Sequence, residues 1–224
     1  MADLLRMPAS EAGKPGYEVS LGQLRRALLA GGLVAFPTDT VWGIAALAAR
    51  PYAILRIFEL KEREARKALP VFELDTPSVK RWVQEWPAVY ERLAAAYWPG
   101  PLTLVCRPRA GELSAVVAED GTVAFRVPRV PLLADLLRVL GKPIVCTSAN
   151  RSGQPPLPSA AEVLEVFGKG LLYVVETDQA TDAADQPSTL VGLRQGRAVV
   201  LREGTISNQE IDRVALLDLQ EPVH

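Results

Sequence analysis

The stretch PLLADLLRVLGKPIVCTSANRSG, residues 131–153, decides the predicted fold. Its first half is a leucine-rich helical pattern that starts at a proline and stops at a glycine. PIVC is a short apolar run typical of a buried strand, and the small polar residues TSANRSG follow it directly. In α/β sheets, ligands bind just beyond the carboxyl ends of strands. The stretch therefore predicts a helix, a strand and a candidate binding loop in succession.

The same alternation continues in both directions. Helices are predicted at residues 20–30 with Ser20 as the cap, 51–64, 77–98 (two stretches broken at Trp86-Pro87), 131–141, 159–168 and 207–216. Strands are predicted at residues 33–36, 69–74, 102–108, 122–128, 143–147, 171–175, 188–193 and 197–203. This order predicts the α/β or α+β class, with a mixed sheet in one domain. We place that domain at residues 17–224, with residues 1–16 as an N-terminal extension or a loosely attached first strand.

Composition limits the partners and the location of the chain. Its 224 residues are 49% hydrophobic and carry 25 basic against 26 acidic side chains, so the overall charge gives no argument for nucleic-acid binding. Cys106 and Cys146 lie in apolar runs without CxxC spacing, which indicates reduced core thiols. The sequence shows no secretory signal and no window that approaches the ~18 apolar residues of a membrane span. We expect a soluble, cytoplasmic protein without a membrane partner.

Composition also excludes several mechanisms. The single histidine is His224, the last residue, so a Ser-His-Asp hydrolase and a histidine metal site are nearly excluded. Neither GxxxxGK[ST] nor GxGxxG after a strand occurs. An enzyme of this composition would work with Arg, Lys, Ser, Thr, Asn and backbone groups, a set that suits a polyanionic substrate.

Polar clusters follow the predicted elements in four places. They are PTDT (37–40), KEREARK (61–67), TSANRSG (147–153), and the late pair PST (187–189) and LREG (201–204). Each has an ordinary interpretation, because PTDT and TSANRSG are typical of polar turns and KEREARK of a solvated helix end. Against this, Lys61, Arg63 and Lys67 could converge on phosphates if the helix breaks there. TSANRSG could form a backbone nest for an anion.

Together and in this order, the clusters resemble the YrdC-like family, whose catalytic members are threonylcarbamoyl-AMP synthases. The family signatures stand here as FPTDTVWGI, KEREARKALPVFEL, WPGPLT, TVAFRVP, SANRSG, STLV and LREG. The resemblance spans about residues 20–206, and the ordinary interpretations of single motifs cannot account for the series.

The resemblance implies an open, twisted, mixed β-sheet flanked by helices, with a positively charged concave face. It implies an enzyme that combines L-threonine, bicarbonate and ATP, with Mg²⁺ in the ATP complex and no tightly bound protein-ligated metal. The product would be threonylcarbamoyl-adenylate, the first intermediate of a tRNA modification, with release of pyrophosphate. Implied partners are a downstream threonylcarbamoyl transferase complex and, as a further candidate, tRNA or double-stranded RNA.

The resemblance also implies site residues. A tetrad around the triphosphate falls at Lys61, Arg63, Ser148 and Asn150. Nucleotide-binding positions fall at Arg63, Lys67, Thr122, Ser148, Pro156 and Arg202. Threonine-binding positions fall at Thr38, Arg126, Cys146 (through its backbone) and Ser188. Arg126 suits the threonine carboxylate as a bidentate donor, and Thr38 suits the threonine hydroxyl.

Departures from the family pattern affect the grip on the substrate. Trp42 replaces a tyrosine, Phe72 replaces a histidine near the threonine, Ala68 a proline and Gly192 an acidic residue. The main alternative function is a non-catalytic double-stranded RNA- or ribosome-binding module of the same fold, which would lack the intact SAN motif. A carbamoyl-adenylate module of the hydrogenase-maturation type would need a zinc-finger region that two isolated cysteines cannot build. A scaffold protein is disfavoured by so many polar clusters at strand ends.

Overall fold

Helices and strands alternate along the chain in the computed structural model, which describes residues 1–7, 15–62, 69–111, 113–177 and 186–216. The strands are β1 (Asp3–Met7), β2 (Val34–Phe36), β3 (Gly43–Leu47), β4 (Val71–Phe72), β5 (Leu102–Cys106), β6 (Val123–Arg126), β7 (Ile144–Ser148), β8 (Tyr173–Thr177), β9 (Thr189–Arg194) and β10 (Arg197–Arg202). The helices are α1 (Pro15–Leu29), α2 (Pro51–Leu60), α3 (Thr76–Trp82), α4 (Ala88–Tyr97), α5 (Pro131–Leu140), α6 (Ala160–Phe167) and α7 (Asn208–Ala215), with a 3₁₀ turn at Ser114–Val116.

The described strands form one sheet in the order β1-β8-β2-β3-β7-β4-β6-β5-β9-β10. The sheet contains parallel pairs, such as β4 with β6 and β5 with β9, and antiparallel pairs, such as β3 with β7. The predicted mixed sheet flanked by helices is confirmed. Consecutive strands are often separated in space, so residues far apart in sequence lie side by side in the sheet.

Apolar layers cover both faces of the sheet. On one face, α1 and α5 pack leucines such as Leu24, Leu28 and Leu136 against β2, β3 and β7. On the other, residues of α2, α4, α6 and α7 form a larger core that includes Ile57 and Leu93. Helices α1 and α5 cover the first face of the sheet near β2 and β3. They leave the part of the same face near β6 and β9 uncovered.

Helix α5 and strand β7 show why the deciding stretch folds as it does. Pro131 begins α5, and Gly141 ends it in the left-handed conformation (φ 61°), with its N–H bonded to the carbonyl of Leu137. A glycine tolerates this φ without steric cost. The chain then enters β7, which is buried over its first four residues.

Some element boundaries differ from the sequence prediction. Helix α1 begins at Pro15 rather than after a Ser20 cap, and the strand predicted at residues 69–74 is only Val71–Phe72. Strand β3, GIAAL, was not predicted, although all of its residues are buried. It lies between β2 and β7, so it is an interior strand of the sheet.

The edges of the sheet have distinct structures. At one edge, β1 pairs in parallel with β8 through residues 3–7. At the other, β9 and β10 form a hairpin whose turn residues Gln195 and Gly196 both have positive φ, 51° and 77°. That combination is typical of a type I′ turn. The β9–β10 register shifts between Val200 and Arg202, a β-bulge that places Arg202 opposite Leu190.

Candidate active site

A cavity of about 400 Å³, which we name the main cavity, opens on the sheet face left uncovered by α1 and α5. Its lining is drawn from many segments: Thr40, Val41, Pro70, Phe72, Val105, Ala118, Asp120, Thr122, Ala124, Arg126, Cys146, Thr147, Ser148, Pro187, Ser188, Leu190, Leu201 and Arg202. A second cavity of about 340 Å³ adjoins it and shares Val105, Asp120, Thr122 and Leu201. This volume lies within the range of small-molecule sites.

The main cavity lies across strands as well as beyond their ends. Ala124 and Arg126 of β6 line it, as do Cys146 and Ser148 of β7. Residues two apart on a strand point to the same face. The expectation that ligands bind only beyond strand ends is therefore incomplete, because the sheet face itself forms the floor.

Arg126 presents its guanidinium to the main cavity, although only 4% of the residue is exposed. Its Nη2 donates to Asp39 Oδ1 at 2.7 Å, Nη1 to Thr40 Oγ1 at 2.9 Å, and Nε to the Gly100 carbonyl at 3.1 Å. Each terminal nitrogen carries a second N–H, for which the described part of the chain offers no acceptor. Two N–H groups, one on each terminal nitrogen, are therefore available, and a carboxylate that binds bidentately requires two.

Phe72 packs its ring against this arginine. The ring centre lies 5.4 Å from Arg126 Cζ, within the range of a cation–π contact. Phe72 also lines the main cavity and is 3% exposed. At the position where the family pattern has a histidine, this chain therefore offers an apolar face that supports the guanidinium.

The PTDT segment is a hydrogen-bonded turn. Thr38 Oγ1 donates to the Val41 carbonyl at 2.6 Å and accepts from the Thr40 N–H at 3.1 Å. The two threonine hydroxyls are 3.0 Å apart. Thr40 and Val41 line the main cavity, whereas Thr38 lies behind the lining, so direct contact of Thr38 with a substrate would require an exchange of its bond to Val41.

Lys61 is buried beside the loop that follows β7. Only 2% of the residue is exposed, and Nζ donates to the carbonyl of Ser148, to the carbonyl of Asn150 at 2.6 Å and to Asn150 Oδ1 at 3.0 Å. The solvated helix-end interpretation is therefore wrong for Lys61. These loop oxygens compensate the burial of the ammonium group.

The SAN loop, residues 148–150, is further fixed by its own side chains. Ser148 Oγ donates to Asn150 Oδ1 at 2.5 Å, and Asn150 Nδ2 donates to the Gln154 carbonyl at 2.5 Å. Backbone N–H groups are used internally, from Ala149 to the Trp42 carbonyl at 2.7 Å and from Asn150 to the Ser148 carbonyl at 3.0 Å. These two N–H groups are therefore not available to an anion, and the backbone nest expected over residues 147–153 stays a prediction. Ser148 reaches the cavity lining through its own position on β7.

Ser188 and Arg202 lie on the opposite wall. The hydroxyls of Ser188 and Thr103 are 2.7 Å apart, and Arg202 Nη2 donates to the Ser188 carbonyl at 2.8 Å. Partial burial and the positive charge of Arg126 both lower the pKa of Arg202. Arg126 and Arg202 line the same cavity, and their positive charges interact. Such a pair favours an anionic ligand between them.

The other residues implied by the resemblance are placed differently. Thr122 lines the main cavity and donates to Asp120 Oδ1 at 2.6 Å. Cys146 lines it too, but its N–H donates to the Pro70 carbonyl at 2.9 Å, and burial raises the pKa of its thiol to about 12. Pro156 is half-buried and outside the lining.

Arg63 and Lys67 lie outside the described residues, so the nucleotide-binding roles implied for them stay predictions. Of the implied tetrad, Lys61, Ser148 and Asn150 are brought into contact.

Sequence reasoning missed several contributors. Asp39 and Thr40 stand in the same PTDT motif as Thr38, yet they hold Arg126, and Thr103 belongs to the WPGPLT motif to which no role was given. Their motifs were visible, but the contacts join segments more than 80 residues apart in the chain.

Over residues 1–7, 15–62, 69–111, 113–177 and 186–216, no group of three or more His, Cys, Asp and Glu side chains could hold a metal ion. Within those ranges, no helix combines the length and apolar character needed to cross a bilayer.

The structure is a mixed sheet with a cavity on one face that is lined by two arginines, Arg126 and Arg202. The chain matches the Sua5/YciO/YrdC family model, described as telomere recombination, over residues 26–204. It therefore belongs to the Sua5/YciO/YrdC family.

Relatives with assigned names are of two lengths. A Pyrococcus abyssi protein named threonylcarbamoyl-AMP synthase is 35% identical over 185 residues, which are 82% of this chain and 54% of that protein. A Chromohalobacter salexigens protein of the same name is 32% identical over 173 residues, 77% of this chain and 92% of that protein. The chain thus spans about half of the first relative and nearly all of the second.

A solved structure shares the fold. The crystal structure of P. abyssi Sua5 complexed with L-threonine superposes with a TM-score of 0.85 at 30% sequence identity. The match covers 95% of this chain and 61% of that one.

Proposed function

We propose that the protein is a threonylcarbamoyl-AMP synthase, which converts L-threonine, bicarbonate and ATP into L-threonylcarbamoyladenylate and pyrophosphate. The observation that carries the proposal is the guanidinium of Arg126, which lines the main cavity with a second N–H on each terminal nitrogen. Support comes from the synthase names of the relatives and from the L-threonine complex of the P. abyssi protein.

The amino-acid end of the substrate is proposed to lie at Arg126. Its two N–H groups would bind the threonine carboxylate bidentately, and the ring of Phe72 would keep the guanidinium in plane. Ser188 lies on the far wall with a hydroxyl shared with Thr103, which makes it the proposed partner of a polar group of threonine. Thr38 and Cys146 keep their implied roles only as part of this proposal.

The nucleotide end is proposed to lie between Ser148, Thr122 and Arg202. Arg202 brings a cation to the wall of the main cavity, and adenylation spreads negative charge over phosphoryl oxygens that such a cation stabilises. Arg63, Lys67 and Pro156 complete the proposed nucleotide set. Lys61 and Asn150 act from behind, because their contacts hold the SAN loop rather than open to the cavity.

The proposed chemistry has two bond-forming steps. The threonine amine first attacks the carbon of bicarbonate or CO₂, forming a carbamate with net loss of water from bicarbonate. A carbamate oxygen then attacks the α-phosphorus of ATP, and the bond to the β-phosphate breaks to release pyrophosphate. Both steps depend on positioning more than on a strong base, so the lack of a usable histidine is no obstacle. Mg²⁺ enters with ATP as part of the substrate complex.

The product is an activated acyl-adenylate, which must be consumed by a transferase. We therefore include in the proposal a cytoplasmic threonylcarbamoyl transferase partner and a role in tRNA modification. The alternative, a non-catalytic RNA-binding module, is less well supported, because the SAN loop here is intact and held by Lys61.

The test is incubation with ATP, Mg²⁺, bicarbonate and L-threonine, followed by mass spectrometry for the acyl-adenylate. Pyrophosphate should appear only when both threonine and bicarbonate are present. L-Serine should react roughly tenfold or more slowly, since a missing methyl group in a small pocket costs about 1–3 kcal/mol. ATP cleavage that ignores threonine would contradict the proposal.

A further inference from the structure

Asp39 is an acidic residue that no part of the proposed chemistry uses. Its side chain is 7% exposed and forms an ion pair with Arg126, whose side chain is 4% exposed, at 2.7 Å. Asp39 is absent from the lining of the main cavity, whereas Arg126 is part of it. The carboxylate thus lies on the protein side of the guanidinium, and a ligand would approach from the other side.

The second carboxylate oxygen of Asp39 is unusual. Oδ2 is buried, and no hydrogen-bond partner for it occurs in the part of the chain that the structure describes. A buried charged oxygen without a donor is costly, and an asparagine could accept the same bond from Arg126 without that charge. Hydrogen bonding alone therefore does not explain why a negatively charged side chain stands at position 39.

The directions of the hydrogen bonds around Arg126 show that its neighbours turn their acceptor atoms towards the guanidinium. Thr38 uses its hydroxyl proton on the Val41 carbonyl, so the Thr40 hydroxyl donates to Thr38 and turns its lone pairs to Arg126. With Asp39 and the Gly100 carbonyl, the guanidinium then meets an acceptor at each of its three nitrogens.

We propose that Asp39 is a positioning residue that fixes the guanidinium of Arg126 from behind, so that its free N–H groups face a substrate carboxylate. The inference rests on the proposed function only for the identity of that carboxylate as L-threonine. Asp39 acts through Arg126 and contacts no substrate.

Two effects oppose each other when Asp39 loses its charge. The substrate carboxylate is no longer repelled, which strengthens binding, but Arg126 becomes a buried cation without its counter-ion, which frees it to turn away. Positioning dominates here because Arg126 is almost fully buried, and a buried charge left unpaired is more costly than the repulsion between two carboxylates that share one guanidinium.

The experiment compares Asp39→Asn, Asp39→Glu and the matched control Glu73→Gln. Glu73 is also a buried carboxylate, 5% exposed, but it accepts from Trp82 Nε1 at 2.5 Å and is not part of the main-cavity lining. In Asp39→Asn the KM for L-threonine should rise about tenfold or more, with the KM for ATP changed less than about twofold. Asp39→Glu should recover most of the loss, and Glu73→Gln should leave both KM values unchanged.

A double variant tests whether Asp39 acts through Arg126. Asp39→Asn in an Arg126→Lys background should add little to the threonine KM, because the group it positions is already altered. Additive losses, or a tighter threonine KM in Asp39→Asn, would overturn the inference.

A structural readout separates this inference from the proposed function. If the wild-type protein makes no adenylate, the function is wrong, and the crystal structure of Asp39→Asn still decides the inference. The guanidinium of Arg126 should leave Thr40 and Gly100 in that variant. A guanidinium that keeps both contacts would show that Asp39 positions nothing, and if Asp39→Asn does not fold, Asp39→Glu is solved instead and should retain them.

Discussion

At the scale of the residue, a substitution of Arg126 can separate the effect of its positive charge from the effect of its forked guanidinium. Arg126→Lys keeps the positive charge but loses the fork that reaches Asp39, Thr40 and a ligand together. We expect the threonine KM to rise about tenfold or more, with little change in the ATP KM, in steady-state kinetics.

Arg129→Lys is the control for that variant. Arg129 is an exposed arginine that donates to the Pro99 carbonyl at 3.0 Å, next to the Gly100 carbonyl that accepts from Arg126. It should leave both KM values unchanged. Equal losses of threonine and ATP affinity in Arg126→Lys would instead assign Arg126 to the nucleotide or to folding.

Lys61 makes a different prediction. Lys61→Met keeps an unbranched side chain of similar size but removes the ammonium that donates to the carbonyls of Ser148 and Asn150. We expect a loss of about 2–4 kcal/mol in the free energy of unfolding, together with loss of adenylate formation, because unpaired buried groups cost about 1–3 kcal/mol each. Urea denaturation measures the first effect and the mass-spectrometric assay the second.

Lys80→Met is the matched control, because Lys80 is only half-buried and pairs with Glu91, whose side chain is 55% exposed. Its unfolding free energy should change by less than about 0.5 kcal/mol. Equal stability of the two variants would mean that the contacts of Lys61 contribute little.

Residue identity was easier to predict from sequence than residue role. The motifs pointed to Arg126 and Lys61, but the sequence could not show that Lys61 is buried. Its burial depends on the Ser148–Asn150 loop, which follows it by nearly 90 residues in the chain and meets it only in the folded state. Asp39 was overlooked for the same reason, since its partner lies 87 positions away.

At the scale of the element, helix α7 depends on its capping box. Ser207 Oγ accepts from the Glu210 N–H, and Glu210 Oε2 accepts from the Ser207 N–H. Ser207→Ala should cost about 1 kcal/mol, seen as a drop of roughly 2–4 °C in Tm for a chain of this size. Activity should be unchanged, because α7 packs against α4 and β10 and contributes no lining residue.

The capping box also has a pH dependence. Bonds from the Ser207 side chain and backbone lower the pKa of Glu210 below its ordinary value of 4.5. Because the folded pKa is the lower one, this stabilisation is present above pH 4.5 and is lost as pH falls through the folded value. The Tm difference between wild type and Ser207→Ala should therefore shrink in acid, and a constant difference would contradict the reciprocal bond.

Element types followed from sequence better than element limits. The helix predicted at residues 159–168, which Ser159 caps, and the Gly141 stop both occur, because they follow from local signals. Strand β3 was missed because GIAAL has one β-branched residue, Ile44, and no aromatic side chain, whereas strands are recognised by runs of such residues. It is a strand because its neighbours β2 and β7 supply the hydrogen bonds, which is tertiary information.

At the scale of the whole molecule, the two cysteines report on opposite faces of the sheet. Cys106 belongs to the apolar layer of α2 and α4, and Cys146 to that of α1 and α5. Burial raises the pKa of each thiol to about 12, so both stay neutral and unreactive at pH 8 in the folded protein. We expect both to become reactive to iodoacetamide at the same urea concentration, measured by peptide mass spectrometry.

The physical reason is that one sheet joins the two layers, so they should unfold as a single cooperative unit. Labelling of Cys146 at clearly lower urea would show that the layer of α1 and α5 opens by itself. Labelling in 6 M guanidinium, roughly twice as strong a denaturant per mole as urea, supplies the fully reactive reference for both peptides.

The bulge in β10 has a consequence for the gene. Val200 lies opposite Val191 and Arg202 opposite Leu190, so Leu201 is the extra residue of the bulge and is paired with no residue of β9. An in-frame loss of its codon would leave a regular hairpin with the arginine still facing Leu190 and the main cavity. Loss of a codon between Arg197 and Val200 would also give a regular ladder with the arginine opposite Leu190, but it would move Leu201 out of the bulge to the position opposite Val191. Evolution can therefore shorten this strand at Leu201 without reorienting the arginine.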